Sequence, residues 1–163
     1  MLRRGNYSQN VKEAIRSAEE VLPASGEVQD MLDHLSARRG RPIRLLVEPL
    51  PEAVSGVLMS TEKADYVAVS KEASPERQVS VVCHEIAHVL LGHDHQDSLA
   101  SSLVETGLLS GLDPELVKSV VAGRQAYAAT VEMDAELVAT HISVELRKRV
   151  MRGGNTHFDQ HWQ

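Results

Sequence analysis

The chain has 163 residues, long enough for one domain with a real core, and nothing in its make-up asks for disulfide or metal staples to fold. Hydrophobic residues are 42% and charged residues 25%, close to a soluble globular average, which excludes wholesale disorder; aromatics are only 3%, so the core must come from Leu, Val, Ile, Ala and Met. The net charge of -6 excludes a broad basic face for direct nucleic-acid binding, which rests on neutralising phosphates.

Two local basic patches, Arg38-Arg39-Arg41 and Arg147 to Arg152, read as a solvated turn and as cations placed at a helix C-terminus. Cys83 is the only cysteine, so no intrachain disulfide forms, and beside the motif described below it reads as a buried small hydrophobe. MLRRGNYSQN has two arginines with no apolar stretch behind them, and no window approaches the roughly 18 apolar residues of a membrane span. A cytoplasmic protein without membrane contact is the expectation.

In chain order, Val11, Ile15, Ala18 and Leu22 fall at helical spacing over Gln9 to Leu22, with Pro23 closing the run. Ser25 to Arg39 reads as a second helix stopped by Gly40, so a helical pair occupies positions 1 to 40. Ile43 to Val47, Val54 to Ser60 and Tyr66 to Val69 read as three short strands, the last two a hairpin. Ser74-Pro75-Glu76 is a helix start, with a capping hydroxyl, proline at the first helical position and an acid in the first turn; Gly92 ends that helix. Positions 96 to 123 read as a helical insert. A long final helix is predicted from Tyr127 to Met151, ended by Gly153-Gly154, with a loose tail over 153 to 163. The expected fold class is α+β: one small zincin-like domain over 1 to 163, with a short, mainly antiparallel three-stranded sheet packed on the Ser74 helix, further helices and a long C-terminal helix.

His84-Glu85-Ile86-Ala87-His88 is an HExxH pattern on that helix. Positions i and i+4 share a face, so both imidazoles can converge on one tetrahedral Zn2+ ion, while Glu85, turned by about 100°, reaches a water beside the metal. That arrangement suits hydrolysis, with Glu85 as general base. The surrounding helix is apolar (Val79, Val81, Val82, Ile86, Val89, Leu90), where unsatisfied histidines and an acid would be costly.

A third ligand is required, and two arrangements compete. Asp94 stands six residues after His88, but Leu91 occupies the place where such a short-spaced site needs glycine, and His93 and His95 lie one residue off register in a histidine-rich turn that reads as a solvated helix end. Glu132, on the last helix, shares a face with Ala135 and Ala139, small enough for close approach. On this second arrangement Glu132 binds the metal and Glu136 accepts a proton from the outer nitrogen of a ligating histidine. Asp134 points away. An extended substrate is expected beside the strand Tyr66 to Ser70, and Tyr127, His141 and Tyr66 are candidate oxyanion donors.

HEIAHVLLGH followed by EMDAELVATHI resembles the ImmA/IrrE-type metallopeptidases, in particular short actinobacterial members. HLSARRGRPIRLL and VSGVLMSTEKADYV are similar to the strand region that precedes the motif in such members, so the resemblance spans roughly positions 30 to 145. It implies one Zn2+ ion held by His84, His88 and Glu132, catalysis by Glu85, and a protein substrate in trans, such as a transcriptional repressor. Asp134 and Glu136 depart from the family's E-x-E-A-[DN] helix, and the separation from His88 to Glu132 is long, which the 96 to 123 insert explains. The alternative function is a non-catalytic zinc-binding regulatory module for a transcription factor or toxin partner.

Overall fold

A computed structural model describes residues 7–50, 55–60, 62–93 and 129–159. Four helices and three strands lie within them: α1 (Gln9–Val21), α2 (Val28–Arg39), β1 (Ile43–Glu48), β2 (Gly56–Ser60), β3 (Asp65–Ser70), α3 (Pro75–Leu90) and α4 (Ala129–Asp159). The insert expected over 96 to 123, together with Val54, Asp94, His95 and Tyr127, lies outside the described residues.

Helix starts follow the local chemistry. Ser8 caps α1 by accepting from the Val11 amide at 3.3 Å, and Ser74 caps α3 by accepting from the Arg77 amide at 3.2 Å. α2 begins three residues later than its sequence suggests, because Gly26 turns the chain at a φ of 74° and Ser25 instead bonds the Glu27 amide and the Asp30 carboxylate. Gly40, at a φ of 61°, closes α2 in the left-handed conformation that suits glycine.

The sheet is mixed, a correction to the mainly antiparallel one expected. Its order is β1-β3-β2, with β1 parallel and β2 antiparallel to β3; Leu45 faces Val67 across one pair and Leu58 faces Val67 across the other. The hairpin of β2 and β3 is as read from the sequence. β3 takes the centre because its run Val67-Ala68-Val69 is apolar and fully buried, whereas β1 carries Arg44 and Glu48, charges suited to an edge. The expected docking of a substrate beside Tyr66 to Ser70 therefore fails, since both edges of that strand are already paired.

One core joins the helices to a sheet face, with Val11, Met31, Leu32, Leu35, Val67 and Ile86 deep within it. Helix α4 contributes Ala135, Val138, Ala139, Ile142 and Leu146, which share one stripe at helical spacing. It also reaches α1 through polar contacts: His141 Nε2 lies 2.6 Å from Glu19 Oε1, and Arg149 Nη1 donates to the Leu22 carbonyl at 3.2 Å. Helix α4 runs on to Asp159, past the glycines expected to stop it. A glycine costs about 1 kcal/mol inside a helix but ends one only by turning left-handed, and Gly153 has no positive φ.

The first basic patch is not merely solvated. Arg39 Nη1 at 2.7 Å and Arg41 Nε at 3.0 Å hold Asp65, which is 2% exposed at the start of β3, and Arg38 pairs with Glu20.

Candidate metal centre

Helix α3 presents His84 and His88 one turn apart, and α4 packs directly against it. The close approach depends on Ala135 and Ala139, both buried at the contact, where larger side chains would hold the helices apart. Glu132, one turn before Glu136, then comes over the two imidazoles.

His84 Nε2 lies 3.2 Å from His88 Nε2 and 3.3 Å from Glu132 Oε2, while His88 Nε2 lies 3.5 Å from Glu132 Oε1. Ligands at zinc distances in a tetrahedron stand roughly 3.3 Å from one another, so these three separations are those of one tetrahedral face. Among the described residues, His84, His88 and Glu132 form a group whose donor atoms all lie within 4.8 Å of one another. Two imidazoles and one carboxylate suit zinc rather than calcium or magnesium, which take mainly oxygen ligands. His88 is fully buried, whereas the Glu132 side chain is 46% exposed, so the group lies at the boundary between core and solvent.

The outer nitrogens also have partners. Glu136 Oε2 lies 3.4 Å from His84 Nδ1, the contact expected for it from the sequence. His93 Nδ1 lies 3.0 Å from His88 Nδ1, so His93 is packed against the site and is not part of a solvated helix end. The cause is local: after Leu91 the chain turns at Gly92 with a φ of 74°, and the His93 amide bonds the His88 carbonyl at 2.9 Å.

Glu85 is 3% exposed and lines, with His84 and Glu136, a cleft of about 440 Å³ between α3 and α4. Ser55, which leads into β2, is on the same wall, so the edge strand nearest the cleft is β2. Arg77 and Arg147 line it too; Arg77 does not stand out in the sequence and Arg147 does so only as part of a basic patch, and the available signal is that Arg77 precedes His84 by two helical turns on one face. Of the expected oxyanion donors, His141 is turned to Glu19 on α1, and Tyr66 is on the central strand and not in the cleft lining. Cys83 is fully buried, and burial pushes its thiol up to about 12.

Residues 39–107 match a peptidase family described as the IrrE N-terminal-like domain. The match supports the ImmA/IrrE resemblance over the stretch that contains the sheet, His84, Glu85 and His88, and a metallopeptidase-like role accords with it; Glu132 and α4 lie beyond it. No curated protein and no solved structure matches the chain. No helix among the described residues is long and apolar enough to cross a membrane.

Proposed function

We propose that the chain is a zinc-dependent endopeptidase that cuts a protein partner, with the metal held by His84, His88 and Glu132 and with Glu85 as general base. The observation that carries this reading is the triangle of donor atoms 3.2 to 3.5 Å apart beside a buried glutamate at a cleft. When bound, zinc supplies Lewis acidity to a scissile carbonyl and to the attacking water.

The protein's own groups do the rest. Glu85 takes the proton of the attacking water and passes it to the leaving amine, and its burial keeps bulk water from competing for the carboxylate. Glu136, beside His84 Nδ1, holds that ring in the tautomer that leaves Nε2 free to bind. An extended peptide would align with β2, the edge strand on the cleft side. The ImmA/IrrE resemblance favours a regulator as target, such as a transcriptional repressor, and the single cysteine accords with a cytoplasmic setting.

The test measures zinc content together with new protein N-termini generated from a lysate. Glu85→Gln is expected to keep about one zinc per chain and lose on the order of a hundredfold or more in cleavage. Glu132→Ala should lose zinc. Cleavage undiminished in Glu85→Gln would sink the assignment.

A further inference from the structure

The cleft that starts at His84 and Glu136 continues between α3 and α4 and reaches two arginines. Arg77 precedes His84 by seven residues, two helical turns, which places it on the same face about 10 Å away along the axis. Arg147 follows Glu136 by eleven residues, three turns, again on one face. Going from His84 back to Arg77 along α3 matches going from Glu136 forward to Arg147 along α4, so both cations reach the same end of the cleft. Ser80, Thr140 and Ser143 line the path between, small hydroxyl side chains that leave room for a peptide backbone.

Both arginines are exposed, and among the described residues neither guanidinium group has an ion pair or hydrogen bond. Arg38, Arg39, Arg41 and Arg149 each meet a carboxylate, whereas the exposed Arg16, Arg44 and Arg152 meet none among the described residues, so what singles out Arg77 and Arg147 is their shared place in the cleft lining. In a chain of net charge -6, two guanidinium groups at the end of one cleft concentrate positive charge there. An arginine fork matches a carboxylate in two parallel hydrogen bonds.

We propose that Arg77 and Arg147 form a carboxylate subsite that selects the substrate. This rests on the peptidase reading above. An extended peptide advances about 3.3 Å per residue, so a span of about 10 Å to Arg77 and about 16 Å to Arg147 places the recognised carboxylate about three to five residues from the bond that is cut. An acidic side chain and a free chain terminus offer the same group.

The experiment uses the full chain, zinc-loaded and carrying Glu85→Gln so that peptides bind without being consumed. Arginine Nε–H signals are followed by NMR during titration with N-acetylated, C-amidated hexapeptides that differ only by Asp or Asn at successive positions, and with an acid-free peptide bearing a free C-terminus. The Arg77 and Arg147 signals should move, an Asp peptide should bind about tenfold tighter than its Asn twin, and Arg77→Gln or Arg147→Gln should abolish that advantage. An advantage for the free C-terminus alone supports the subsite and assigns it to chain ends; one for internal Asp alone supports it and assigns it to side chains. Equal binding of all peptides, unmoved arginine signals, or an advantage that survives both Gln variants would overturn the proposal. Binding is read without turnover, so this outcome is separable from a failure of the peptidase reading, which shows only in the cleavage assay.

Discussion

Nδ1 of His88 lies 3.0 Å from Nδ1 of His93, while its Nε2 faces His84 and Glu132. For His88 Nε2 to bind a metal, Nδ1 must carry the ring proton, and His93 Nδ1 is placed to accept it. His93→Ala is therefore expected to weaken zinc binding about tenfold or more, as measured by competition with a chromophoric chelator. His93→Asn can set an amide oxygen near the position of Nδ1 and should restore most of the affinity. Equal zinc affinity in the wild type and the alanine variant would show that His93 only packs there.

Cys83 is buried with its thiol pushed up to about 12 by desolvation, so at pH 8 it is both shielded and protonated. Iodoacetamide should leave it unmodified in the folded protein and label it fully in denaturant, as read by intact mass. The labelling rate then reports opening of the core around α3. Rapid labelling under native conditions would contradict the burial.

Gly26 combines a φ of 74° with close approach to α4: an added Cβ would lie 2.5 Å from the Leu146 carbonyl oxygen and 2.6 Å from the Val150 amide nitrogen. Backbone atoms cannot swing aside as a side chain can. Gly26→Ala should cost about 2–4 kcal/mol, from left-handed strain and overpacking together, seen as a lowered denaturation midpoint in urea.

Gly56 presents the same problem with a softer neighbour. A Cβ there would stand 2.2 Å from Val81 Cγ1, on a side chain of α3 that also lines the cleft. Gly56→Ala should destabilise, and adding Val81→Ala should recover part of the loss, with a coupling of about 1 kcal/mol or more in a double-mutant cycle. Strict additivity would mean that β2 and α3 yield independently.

Asp65 is buried and held by Arg39 and Arg41, both partly exposed. Removing its carboxylate leaves two guanidinium groups turned inward without their anion. Asp65→Ala is expected to cost about 2–3 kcal/mol, somewhat below the figure for a fully buried pair because water reaches the arginines.

The pairing of His84 with His88 was legible because it depends only on helical spacing, and the start of α3 because Ser74, Pro75 and Glu76 act locally. Glu132 was harder: its face shows small residues at Ala135 and Ala139, but nothing in one segment says which other helix they meet. Strand order was not legible, since the parallel pairing of β1 with β3 depends on how distant segments compete for the centre of the sheet. His93 reads as solvated from its segment alone, because the turn back toward His88 is made by a single left-handed residue, Gly92. The arginine end of the cleft becomes visible only once α3 and α4 are known to run in opposite directions.

Because α3 and α4 touch directly, the reach of Glu132 to the two imidazoles depends on how one helix face fits the other. A change at Ala135 or Ala139 is therefore a change to the chemistry as much as to the core, since both sit in the seam that carries Glu132 over His84 and His88.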